Sequence, residues 1–108
     1  MLKLVSGLFM LWIGFTACSS EPERTPPELH QVVISSMKFN PAELTIKRGD
    51  TVEFVNQDLV VHDITQDPDK TWSSSKLAHG QSYKITLRES TPYFCSIHPV
   101  MKGRITVQ

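Results

Sequence analysis

Between Leu29 and Gln108 apolar residues recur at every second position in several short runs broken by turn signals, and no segment carries a long helical period. That pattern restricts the chain to strands. "LHQVVISSMKF" begins a β-branched run, and "AELTIKR" alternates Leu44 and Ile46 with polar neighbours. Gly49–Asp50 marks a turn, and "TVEFV" then alternates through Val52 and Phe54. "QSYKITLR" sets Tyr83, Ile85 and Leu87 on one face, and "PYFC" and "GRITVQ" close the chain. About seven to eight short strands with turns between them predict an all-β fold, an antiparallel β-sandwich of Greek-key type. The longest irregular stretch, Gln66 to Gly80, leaves room for a short helix or an extra strand.

The N-terminal stretch does not share the alternation. Lys3 is followed by "LVSGLFMLWIGFTA", apolar and uncharged, which fits the h-region of a signal peptide. It ends at "FTAC", where small residues precede Cys18 as in a bacterial lipobox, although Phe15 stands where leucine is usual. The expected organisation is a signal peptide over 1–17, a lipidated Cys18 with a polar, proline-rich tether over 18–28, and a folded domain over 29–108. An ordinary secretory signal with an incidental Cys18 is the alternative. Lipidation predicts a bacterial lipoprotein facing the periplasm, and Ser19 in place of aspartate favours the outer membrane. With 108 residues and no net formal charge, one compact, monomeric domain is expected, with no nucleic-acid partner.

If Cys18 carries lipid, Cys95 has no disulfide partner in an oxidising compartment. It lies in "CSIHPVM", with His98 and Met101 spaced three residues apart. Thiolate, imidazole and thioether form a mixed donor set. Zinc rarely recruits methionine, and iron–sulfur clusters want several cysteines. A copper ion shuttling between Cu(I) and Cu(II) suits two histidines, a cysteine and a weak axial methionine. The second histidine must come from elsewhere. His62, with an apolar flank in "NQDLVVHDI", is the candidate; His30 and His79 read as solvated strand-end or loop residues. A buried structural Cys95, a Cys95 nucleophile with His98 as base, and Met101 as core filler remain open alternatives.

"MKFNPAELTIKRGDTVEFVNQDLVVHDI", "WSSSKLAHGQSYKITL" and "YFCSIHPVMKGRITV" occur in that order. With them the chain, from about Val32 onward, resembles the small cupredoxins of the plastocyanin, pseudoazurin and amicyanin type. The loop most resembles that of amicyanin. The resemblance implies a single copper ion held by His62, Cys95, His98 and Met101. It also implies that Asn56 braces the first ligand loop and that the residue after His62 ties the two loops together. That residue is usually asparagine; here it is Asp63, an acceptor only when ionised, for which Ser96 is a candidate donor. His98 is expected at the surface inside an apolar docking ring of Val60, Val61, Ile97, Pro99 and Val100. Met37, placed in a strand, stands at its edge.

The implied function is one-electron transfer without substrate turnover. Cytochromes c, dehydrogenases and terminal reductases or oxidases are the expected kinds of partner, met through a small, transient interface. A copper carrier or buffer for delivery or resistance is the alternative, although no Met-rich or His-rich tract accompanies the ligand set.

Overall fold

A computed structural model describes residues 25–108, together with Gly7, Ile13 and Gly14. Most of the expected signal peptide, the Cys18 lipidation site and most of the tether lie outside the described residues. Eight strands follow in order: β1 (Leu29–Ser35), β2 (Lys38–Asn40), β3 (Glu43–Ile46), β4 (Thr51–Asn56), β5 (Thr65–Gln66), β6 (Ser82–Thr86), β7 (Thr91–Phe94) and β8 (Lys102–Val107). There is no helix among the described residues.

The strands form two four-stranded sheets, β2-β1-β4-β6 and β3-β8-β7-β5. Alternation does what it implied. Val32 and Ile34 of β1, Val52 and Phe54 of β4, Tyr93 of β7 and Ile105 of β8 all face inward and are buried. Phe39, Phe54 and Tyr93 meet edge to face, with ring centroids 4.8 to 6.3 Å apart, at the middle of the core.

The sandwich is not wholly antiparallel. β1 pairs parallel with β4, Leu29 opposite Thr51 through Ile34 opposite Asn56, and β3 pairs parallel with β8. The chain leaves the first sheet after β2, runs β3 in the second, and returns for β4 in the direction of β1. Alternation reports which face of a strand is buried but says nothing of the direction of its partner.

The first apolar run also divides. Ser36 and Met37 adopt left-handed backbone, with φ of 53° and 60°, and turn the chain from β1 into β2. Met37 therefore sits in a turn, not in a strand. Between Gln66 and Gly80 there is neither a helix nor a further strand, only isolated bridges pairing Thr65 with Ser73 and His62 with Leu77.

Candidate metal centre

Two loops at one end of the sandwich build the centre. The first follows β4. Asn56, the last residue of that strand, points inward and is fully buried. Its Oδ1 accepts the Asp58 N–H at 2.9 Å, and its Nδ2 donates to the carbonyls of Val60 at 2.9 Å and Leu77 at 2.8 Å. One amide thus fixes both ends of the turn that delivers His62. The His62 backbone is clamped further by reciprocal bonds with Leu77, at 3.1 and 2.7 Å.

The second loop joins β7 to β8. Phe94 opposes Lys102 in the ladder, and the next pair outward is Cys95 and Met101, whose backbones are joined at 3.1 Å. The Met101 N–H donates to the His98 carbonyl at 2.9 Å and closes a tight turn. Cys95, His98 and Met101 are therefore brought together because the hairpin is short.

His62 Nδ1 stands 3.8 Å from Cys95 Sγ, and His98 Nδ1 stands 3.9 Å from it. All three donor atoms lie within 4.8 Å of one another. A borderline metal ion bound at about 2.0 Å to nitrogen and about 2.3 Å to thiolate sulfur, with bonds about 120° apart, sets each sulfur–nitrogen pair about 3.7 Å apart. The three atoms fit that triangle. Met101 is buried beside them, so the donor set is two imidazoles, one thiolate and one thioether. That softness and geometry fit copper better than zinc or iron.

Burial differs among the four. His62, Cys95 and Met101 are shut off from solvent, whereas His98 is half-buried and forms the outer edge. Around it the apolar side chains of Val60, Val61, Ile97 and Val100 are exposed, as is Pro99, and Met37 lies exposed in its turn. Leu59 is 88% exposed and Val100 87%, the two most outlying apolar residues of these loops. Leu59 was not expected there; its only signal is its place beside Val60 and Val61.

A profile of copper-binding proteins of the plastocyanin/azurin family matches residues 28–108. This chain belongs to that family. It is 33% identical to amicyanin of Paracoccus versutus over 89 residues, which is 77% of this chain and 67% of the relative. Among solved structures, the reduced Cu(I) form at pH 4 of an amicyanin mutant superposes with a TM-score of 0.69 at 28% identity, covering 74% of this chain and 82% of that one. A copper-containing nitrite reductase from Thermus scotoductus SA-01 superposes with a TM-score of 0.67 at 35% identity. That match covers 73% of this chain and only 22% of the reductase.

The cofactor is accordingly copper, and His62, Cys95, His98 and Met101 form a single type 1 site. Family and donor set together make this a type 1 copper electron-transfer protein.

The surroundings of the ligands are polar where they need to be. The Asp63 N–H points to Cys95 Sγ at 3.5 Å, so the backbone donor to the thiolate is present. The Asp63 side chain accepts from both the N–H and the hydroxyl of Ser96. Asp58 was not expected at the site. Its carboxylate meets His62 Nε2 at 2.9 Å, and its sequence signal is a carboxylate four residues before a ligand histidine. Histidine ligands commonly hand their second nitrogen to such a partner.

The other histidines stay away from the centre. His79 is exposed, with Nδ1 at 3.3 Å from the Asp58 carbonyl. His30 is not a solvated strand end. It lies within β1, half-buried, with Nε2 at 2.9 Å from the Asp50 carboxylate. Asp50 immediately precedes β4 and Asn56 closes that strand, so this pair marks the end of the sandwich away from the copper ligands.

Proposed function

We propose that the protein carries single electrons between redox proteins at the periplasmic side of a bacterial membrane, held there by lipid on Cys18. Bound copper supplies a one-electron couple between Cu(II) and Cu(I). The observation that supports a carrier most directly is the unequal burial of the ligands. His62, Cys95 and Met101 are sealed by packed strands, while His98 alone reaches the surface, inside a rim of exposed apolar side chains. Sealed ligands keep water out and hold their positions when the electron moves. The exposed ring edge gives a partner a short path to the metal.

Leu59, Val60, Val61, Ile97, Pro99 and Val100, with Met37 at the edge, form the docking surface in this proposal. A small apolar contact favours brief encounters and fast release. Cytochromes c, dehydrogenases and terminal reductases or oxidases are the kinds of partner that suit it. The segment 18–28 acts as the tether and 29–108 as a monomeric carrier domain without catalytic turnover. The nitrite reductase likeness covers a fifth of that enzyme and lends no activity to this chain.

The test is a spectrum and a fractionation. The copper-loaded protein should show an intense visible thiolate-to-Cu(II) band that bleaches reversibly with ascorbate, and Cys95→Ser should abolish it while the β-fold persists. A colourless protein that holds only Cu(I) would point to copper delivery instead. Cys18→Ser should release the protein from the membrane fraction; unchanged attachment would refute the lipid anchor.

A further inference from the structure

Asp63 follows a copper ligand in sequence and is almost fully buried. Its carboxylate lies between the two ligand loops. Oδ1 accepts the Ser96 N–H at 2.7 Å and the Thr65 hydroxyl at 3.3 Å, and Oδ2 accepts the Ser96 hydroxyl. All of these partners are neutral. None of the ion pairs among the described residues involves Asp63. A buried carboxylate is ordinarily matched by a cation, because burial without one is costly. Here the positive charge next to it is the one the His62–Cys95–His98 cluster would hold.

We propose that Asp63 is a potential-setting residue, whose charge favours the oxidised protein and lowers the reduction potential of the site. This rests on the copper electron-transfer role argued above. Cu(II) with one thiolate carries a net charge of about +1, and Cu(I) with one thiolate about zero. The Asp63 charge therefore attracts the oxidised centre and has little hold on the reduced one. In a buried setting the effective dielectric is low, so this difference is felt strongly. Reduction adds one electron, taken from an electrode or from ascorbate. The Ser96 and Thr65 donors disperse the carboxylate's charge and moderate its effect without cancelling it.

The sign of this effect separates it from simple loosening of the loops. Asp63→Asn keeps the shape and still accepts from Ser96, but removes the charge. Ser96→Ala keeps the charge and removes one donor. At a fixed solution potential, Asp63→Asn should raise the Cu(I):Cu(II) ratio at least tenfold, a shift of about 59 mV for one electron, with the visible band retained. Ser96→Ala should leave that ratio at or below the wild-type value. Asp63→Ser, smaller and equally uncharged, should repeat the rise.

Voltammetry and visible titration of the copper-loaded proteins read all three. A ratio in Asp63→Asn within threefold of wild type overturns the proposal. So does a rise in Ser96→Ala that matches the rise in Asp63→Asn, since loosening and not charge would then be at work. Loss of copper from both uncharged variants would assign Asp63 a structural role and overturn it equally. A coloured wild type with an unshifted variant refutes only the role of Asp63, whereas a wild type that takes up no copper refutes the electron-transfer role with it.

Discussion

Asp58 Oδ2 and His62 Nε2 are 2.9 Å apart, and His62 Nδ1 faces Cys95 Sγ on the opposite side of the ring. The ring can present a lone pair to the metal through Nδ1 only if Nε2 carries the proton, so His62 donates and Asp58 accepts. The same carboxylate accepts the N–H groups of Ser36 at 2.8 Å and Met37 at 2.9 Å. Burial alone would raise the Asp58 carboxyl, but the Met37 N–H, the His62 ring and the Ser36 N–H together hold it below the usual range. One side chain thus ties the apolar rim to the innermost imidazole.

Removing that tie should loosen the metal site before it loosens the fold. Asp58→Ala frees the second nitrogen of His62 and leaves the β1–β2 turn without its acceptor. Copper affinity should fall about 10- to 100-fold, the usual cost of losing such a partner. A competition titration against a chelator of known affinity measures it. Unchanged affinity would mean that the packing around His62 orients the ring unaided.

Acid should also act at the opposite end of the sandwich. The Asp50 carboxyl is held at about 2, down from the usual 3.8. The Glu28 N–H contributes most, then the His30 ring; burial opposes them, and the Lys47 N–H adds to them. The folded value lies below the unfolded one, so the unfolded chain binds more protons between the two. The stabilisation is therefore complete above the unfolded value and is lost as pH falls toward 2. Asp50→Asn should flatten that limb of the stability curve, and the two proteins should converge at the acid end. Urea midpoints of the metal-free proteins across about pH 5 to pH 2 decide it. An unaltered slope in the variant would rule Asp50 out as its source.

Much of the site was legible because it is local. Cys95, His98 and Met101 come from one short hairpin, so their spacing is their geometry, and the apolar flank of His62 marked it among the four histidines. Alternation likewise exposed the core positions of β4 and β7. The illegible parts depend on distant partners. The break at Ser36–Met37 is held by Asp58, 22 and 21 residues away, and nothing in "VISSMKF" announces it. Parallel pairing of β1 with β4 follows from the route of the chain between sheets. The role of His30 required Asp50, 20 residues on, to arrive beside it.

Gly103 gives a prediction about packing under the copper hairpin. It stands opposite Tyr93 in the β7–β8 ladder, and the Tyr93 ring lies over it where a side chain would otherwise project. A Cβ there would fall inside that ring. Tyr93 is fully buried and wedged between Phe39 and Phe54, so it has nowhere to go. Gly103→Ala should destabilise the protein by about 1–3 kcal/mol through overpacking. Chemical denaturation of the metal-free protein tests this, and a variant as stable as wild type would show that the ring can move aside.

The apolar rim makes the final prediction, and it separates contact from chemistry. Leu59 and Val100 project almost wholly into solvent and bury nothing in the free protein, so changing them should leave folding untouched. Neither is a ligand, and neither donates to one. If the rim is where partners dock, a lysine at either position places a hydrated charge in the middle of an apolar contact. Leu59→Lys and Val100→Lys should then slow electron exchange with a cytochrome c about tenfold, the equivalent of about 1.4 kcal/mol of lost docking. The visible spectrum should stay at its wild-type position. A lysine on the far end of the sandwich, at Thr86, serves as the control for added charge, because that residue is exposed and remote from the copper loops. Stopped-flow mixing at several ionic strengths distinguishes the two effects. Loss of rate in the rim variants that persists at high salt marks disrupted apolar contact, whereas loss that vanishes with salt, and appears equally in Thr86→Lys, would mean that the rim is not the docking surface.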